Sequence, residues 1–178
     1  LVTVVTNNYT LETKTSGKLT ITQNTTTLYV ESKGKSWDYT GNPHTNHEYV
    51  VHFGDAAINA MAGETTGTYT ATLGTGDVVT ITPASSAKVT HVSEGEVSNT
   101  FTWTMTNESY YTKGTDVVGK LKVNPAALTV TTNTAIRQYN GQPLTADGSV
   151  SGLVTPTVGV QETVTFTVTG TITKVGGP

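Results

Sequence analysis

The stretch FTWTMT, Phe101-Thr102-Trp103-Thr104-Met105-Thr106, alternates large apolar residues with threonine without a break. Successive side chains of a strand point to opposite faces, so Phe101, Trp103 and Met105 share one side and the three threonines the other. One face is built for a core and the other for water. The same period recurs at Val164, Phe166 and Val168, and in the shorter runs Leu19-Thr20-Ile21-Thr22 and Val79-Thr80-Ile81-Thr82. Turn residues separate these runs at close intervals, the spacing of a sandwich or barrel.

Composition agrees. The chain has 178 residues, of which 40 are Thr and 22 are Val. Both types are β-branched, stiff at χ1 and suited to a pleated surface. Charged residues make up only 13%, and the net charge of -3 gives nothing that steers the chain to nucleic acid or an anionic membrane. Cysteine is absent, so stability must come from the core without disulfides. No run of 18 apolar residues exists, and no membrane insertion is expected. The opening LVTVVTNNYT has neither a charged leader nor a small-residue cleavage site and reads as strand; export signals are expected outside these residues. Gly54–Glu64, GDAAINAMAGE, is Ala-rich and predicts one or two helical turns in a loop.

A second pattern lies at long range. Tyr39, Gly41 and Pro43 in SWDYTGNP return as Tyr139, Gly141 and Pro143 in IRQYNGQP, each shifted by 100 residues. Leu28-Tyr29-Val30 precedes Leu128-Thr129-Val130 by the same distance, and Gly17-Lys18-Leu19 precedes Gly119-Lys120-Leu121 by 102. A period of about 100 residues divides the chain into the closing strands of one unit (1–23), a complete unit (24–124) and the opening of a third (125–178). Pro125 suits the joint between units, since it cannot donate to a ladder. In the repeated turn, the Gly permits a positive φ, Pro pins the exit, and the Tyr caps the turn with its hydroxyl directed to a backbone group. The predicted architecture is all-β, as tandem immunoglobulin-like two-sheet sandwich repeats. The alternative is a β-grasp-like repeat with the Ala-rich stretch as its short helix.

The order of these pieces resembles the tandem Tyr-Asp-Gly-type and MBG-like repeats of Gram-positive cell-surface proteins. The matching pieces are Leu128-Thr129-Val130, Tyr139-Asn140-Gly141-Gln142-Pro143-Leu144, Thr169-Gly170-Thr171, Val175-Gly176, Asn99-Thr100-Phe101, Asn8-Tyr9-Thr10-Leu11 and Gly17-Lys18-Leu19. Thr40 and Asn140 stand where the family has Asp, and His44 where Leu is usual. The resemblance implies an extracellular stalk or adhesin-like module, anchored to the cell wall through regions outside this sequence, and supplies no catalytic residue. The glycosylation-type triplets at Asn8, Asn24 and Asn107 are expected to be bare in a bacterial setting.

Candidate chemistry is sparse. His44, His47 and His52 cluster in HTNHEYVVH with Glu48, but an odd spacing in a strand sends His47 and His52 to opposite faces. Asp77, Glu94 and Glu96 sit in loops of calcium-binding character. Lys33, Lys35, Lys113 and Lys120 with Asn99, and Glu48 or Asp116 as helper, are the residue types of an intramolecular Lys–Asn cross-link. No nucleophile elbow, Walker or dinucleotide pattern occurs. The reading is a non-catalytic structural spacer without cofactor. The alternative is a glycan- or host-protein-binding module, which would display Trp37 and Tyr49 where a spacer would bury Trp37. The two partial units are expected to associate between molecules, residues 1–23 of one chain completing 125–178 of another by strand addition.

Overall fold

A computed structural model describes residues 8, 15–157, 159 and 162–176. Residues 24–124 carry β1 (Thr27–Ser32), β2 (Lys35–Asp38), β3 (Tyr49–Phe53), β4 (Ala56–Asn59), β5 (Met61–Ala62), β6 (Tyr69–Thr72), β7 (Val78–Pro83), β8 (Glu96–Ser98), β9 (Phe101–Met105), β10 (Thr112–Lys113), β11 (Val117–Val118) and β12 (Lys120–Asn124). The architecture is all-β and sandwich-like, as the alternation predicts. One sheet runs β10-β1-β3-β4, with β11 also on β1; a second runs β5-β6-β7-β9. Leu28, Val30, Tyr49 and Val51 of the first face Ala71, Leu73, Val79 and Ile81 of the second, all buried. Phe101, Trp103 and Met105 pack half-buried against this core on the face their alternation assigns them. A third sheet, β2-β12-β8, covers a smaller cluster of Val89, Leu121 and Val123 with Trp37, Tyr39 and Val97.

The opening strand serves two sheets. β1 pairs antiparallel with β3 and parallel with β10 and β11, then the chain jogs at Lys33-Gly34 and β2 pairs parallel with β12. Its parallel partner jogs beside it at Gly119. The two backbones meet so closely that a Cβ on Gly119 would lie 2.4 Å from the Gly34 nitrogen, and one on Gly34 2.8 Å from the Lys120 carbonyl oxygen. Three buried polar side chains gather there. Asn99 Nδ2 donates to the carbonyls of Lys33 (3.0 Å) and Asn46 (2.9 Å), and Asn46 Nδ2 donates to Lys33 O (3.0 Å). Ser32 Oγ donates to Asn99 O (2.8 Å) and accepts from Gly119 N (3.0 Å).

Two expectations fail. Gly54–Glu64 is not helical: Gly54-Asp55 forms a two-residue hairpin turn, with φ +58 at Gly54, and Ala56–Asn59 returns as β4 along β3. Pairing with β3 satisfies the backbone of this stretch, and Ile58 packs on the core, which outweighs the marginal stability of so short a helix despite its alanines. No α-helix occurs among the described residues, so the β-grasp alternative falls with it. Residues 19–22 and 162–170 form no strand despite the alternation of Leu19 and Ile21 and of Val164, Phe166 and Val168. A strand needs a neighbour as well as a pattern.

Residues 125–176 contribute β13 (Thr129–Thr132), β14 (Leu144–Thr145), β15 (Gly148–Ser151) and β16 (Thr171–Ile172). β13 pairs antiparallel with β15, Val130 opposite Val150, much as Val30 lies opposite Val51. β14 pairs with β16, Leu144 opposite Ile172, where His44 forms a bridge with Val89.

Gly119→Ala should destabilise residues 24–124 by roughly 1–3 kcal/mol, because backbone rather than a flexible side chain must move. Gly74→Ala, with no atom within 4 Å of the added Cβ, is the control. Urea midpoints of the two variants check this; equal midpoints would show that the crossing is not tight.

Candidate functional site

The Tyr39–Pro43 turn lies where the chain leaves the sandwich. β12 ends beside β2, and Tyr39 N donates to Asn124 O at 2.9 Å, so the chain leaves the sandwich next to the turn. Gly41 has φ +73 and Gly141 φ +79, the left-handed region that disfavours any Cβ. Asn42 N donates to Thr40 Oγ1 at 3.3 Å, and Gln142 N to Asn140 Oδ1 at 3.1 Å. Each turn is thus closed by an oxygen two residues back, a role open equally to Thr, Asn and Asp. That accounts for Thr40 and Asn140 at one equivalent position.

What the first turn touches is the segment 153–164. The Tyr39 hydroxyl donates to Glu162 Oε1 at 2.9 Å, a carboxylate rather than the expected backbone group. That bond, then partial burial, raises the Tyr39 pKa above its usual value. Asn42 Oδ1 accepts from Thr157 N (3.0 Å) and Thr157 Oγ1 (2.8 Å). Gly41 lies under Pro156, whose Cβ would be 2.7 Å from an added methyl. Beside these contacts a cleft of about 360 Å³ opens between Tyr39, His91, Val92, Leu128, Leu153 and Glu162. Among the described residues the second turn has no such cover: Tyr139 is 70% exposed, and none of their atoms lies within 4 Å of a Cβ on Gly141. It borders a groove of about 440 Å³ between residues 135–144 and 172–176.

The other candidates disperse. His44 stacks on Trp37 with ring centroids 5.0 Å apart and bonds Thr40 Oγ1 at 2.8 Å. His47 meets the Tyr69 hydroxyl (2.6 Å), and His52 meets Glu31 Oε2 (2.9 Å) while stacking on Tyr29. No group of three metal-ligating side chains converges among the described residues. Asp77 is committed to the loops around it: it accepts from the Tyr111 hydroxyl, from Asn107 Nδ2 (2.8 Å) and from Thr106 Oγ1 (3.1 Å). These donors, Tyr111 foremost, hold its carboxyl below the usual range. Glu94 Oε1 accepts from the amides of His91 (2.8 Å) and Thr90 (3.1 Å), and Glu96 lies in β8. Asn99 is fully buried, but the Lys33 amine is on Glu31 (2.5 Å), the Lys120 amine on Ser98 (2.9 Å), and Asp116 accepts from Trp103 Nε1 (2.9 Å). Among the described residues, none of these bonds joins a lysine amine to the Asn99 side chain. Tyr49, the aromatic a binder would display, is 1% exposed, and burial pushes its pKa up to about 12. Trp37 is half-buried against the smaller cluster.

Sequence reasoning found the turn but not Asn42, Thr157 and Glu162 as its contacts; three polar residues in loops carry no periodic signal. No protein-family model matches the chain, and no curated protein or solved structure is significantly similar to it.

Both turn glycines should resist substitution, unequally. Gly141→Ala should cost about 1 kcal/mol from the positive φ alone. Gly41→Ala should cost more, since its methyl also strikes Pro156. Thermal unfolding of the two variants ranks them; the reverse order would place the junction elsewhere. For Asp77, a depressed folded-state pKa means stability held above the ordinary value of 3.8 and lost as pH falls below it through the folded value. Asp77→Asn should therefore melt lower than wild type at neutral pH, and the gap should narrow below about pH 3.8, as melting curves down to about pH 2 would reveal.

Proposed function

We propose that this chain is a non-catalytic structural spacer of a bacterial cell-surface protein, built of sandwich units joined end to end. The carrying observation is the Tyr39–Pro43 turn seated on residues 153–164 through Glu162, Thr157 and Pro156. The pairing of β13 with β15 in nearly the register of β1 with β3 supports a repeating unit of about 100 residues, divided at residues 23 and 124. A spacer gains from stiffness, and a turn that contacts both sides of a joint supplies it without a long linker. Low charge and threonine-covered wet faces suit an exposed stalk. Among the described residues no helix is long and apolar enough to cross a membrane.

A second reading, a glycan- or host-protein-binding module, is favoured by the joint cleft, where Tyr39 and His91 flank Glu162.

The double variant Tyr39→Phe, Asn42→Ala removes the polar contacts of the joint and leaves the sandwich core intact. Small-angle scattering should show a broader distribution of interdomain distances than in wild type, with an unchanged unfolding midpoint for residues 24–124. Identical scattering curves would deny the turn its role as a joint, and saturable binding on a glycan array would favour the second reading.

A further inference from the structure

Leu19 and Ile21 are 99% and 100% exposed, the extreme among the large apolar residues described. Their surroundings read GKLTIT at 17–22, and β12 with its preceding glycine reads GKLKVN at 119–124. There the two equivalent residues, Leu121 and Val123, are 0% and 1% exposed. One pattern is therefore wholly buried in one copy and wholly wet in the other. In the sandwich, β12 lies parallel to β2, with Leu121 beside Lys35, Lys122 beside Ser36 and Val123 beside Trp37. The counterpart of β2 is the stretch 135–138, just before the second turn. It belongs to no sheet, Ile136 is 93% exposed, and the 440 Å³ groove runs along it.

We infer that residues 17–22 of one molecule add as a parallel strand to residues 135–138 of a second copy, filling that groove. This rests on the reading of the chain as repeated units. The register follows from β12 and β2: Leu19 beside Ala135, Thr20 beside Ile136, Ile21 beside Arg137, with Tyr139 N donating to Thr22 O as Tyr39 N does to Asn124 O. Leu19 and Ile21 turn into the groove, against Tyr139, Leu144 and Ile172. The occupant is a second copy because the donor strand is held at the far pole of its own sandwich. Gln23 Nε2 donates to Tyr111 O and Asn24 N to Tyr110 O, both at 2.8 Å. Four residues back to Leu19 reach ~14 Å at most, against the ~35 Å that β1 and β2 run between that pole and the Tyr39 joint. The contact is heterologous, head to tail, and residues 1–7 and 9–14, which the sequence also assigns to the donor, lie outside the described residues.

Two measurements test it. Wild type at about 100 µM, enough to populate a contact of micromolar affinity, should sediment as an oligomer. Leu19→Asp with Ile21→Asp should sediment as a monomer with an unchanged melting temperature, since neither residue supports the fold of its own chain. Separately, Thr20→Cys and Ile136→Cys proteins, one carrying a mass tag, should form a mixed disulfide dimer on oxidation. The chain has no other cysteine to compete, and a Lys88→Cys partner should give none. A monomeric wild type, an oligomer that survives the double Asp change, or no Thr20–Ile136 cross-link would overturn the inference. None of these results bears on the Tyr39 joint, which is read from flexibility within one chain.

Discussion

The crossing of Gly34 and Gly119 is the constraint on which the sandwich depends. Two parallel strands must leave one sheet and enter another together, and they do so only where neither carries a Cβ. Such an approach would strand backbone groups in the interior, where an unmade hydrogen bond costs about 1–3 kcal/mol. Asn99, Asn46 and Ser32 take up those groups from four separate stretches of chain. The glycines make the jog sterically feasible, and the three side chains make it electrostatically tolerable.

From that crossing the sandwich extends toward two differently built poles. At one, the larger core ends under Tyr111, whose hydroxyl ties the loop at Thr75 and Asp77 to the chain entering the first sheet. At the other, the smaller cluster beneath Trp37 and Tyr39 closes the third sheet. The first pole is a ring of hydrogen bonds around a carboxylate. The second is aromatic and apolar, and so can continue into whatever follows it.

Sequence periodicity revealed the faces but not the partners. Val79 and Ile81 are buried and Phe101, Trp103 and Met105 line the core edge, as a period of two requires. Leu19-Thr20-Ile21-Thr22 and Val164–Val168 have the same period yet form no strand within the chain, because alternation records a face prepared for burial and says nothing of who supplies the other side. Ala56–Asn59 failed for the opposite reason: its own pattern is weak, and β3 and the Gly54 turn decide its conformation. Ser32, Asn46 and Asn99 were invisible as core residues. Their types are common on surfaces, and only the crossing backbones explain why they are inside. At the joint, the repeated Tyr-x-Gly-x-Pro spacing exposed the turn, whereas its contacts, each a lone polar residue in a loop, became apparent only in three dimensions.

Parallel pairing finally accounts for where the chain leaves the sandwich. In an antiparallel arrangement, opening and closing strands would end at opposite poles, and the outgoing chain would emerge beside the incoming one. Here β2 and β12 run the same way, so Asp38 and Asn124 finish side by side. The incoming chain is pinned at Tyr110 and Tyr111, a full strand length away. Entry and exit are therefore polar opposites, and the segment after Pro125 begins within a hydrogen bond of the Tyr39 turn. That segment packs back on the turn through Pro156, Thr157 and Glu162. Three of the turn's residues meet that segment: the Tyr39 hydroxyl donates to Glu162, Gly41 lies under Pro156, and Asn42 Oδ1 accepts from Thr157. Topology sets the place of contact, and the repeated pattern supplies its chemistry.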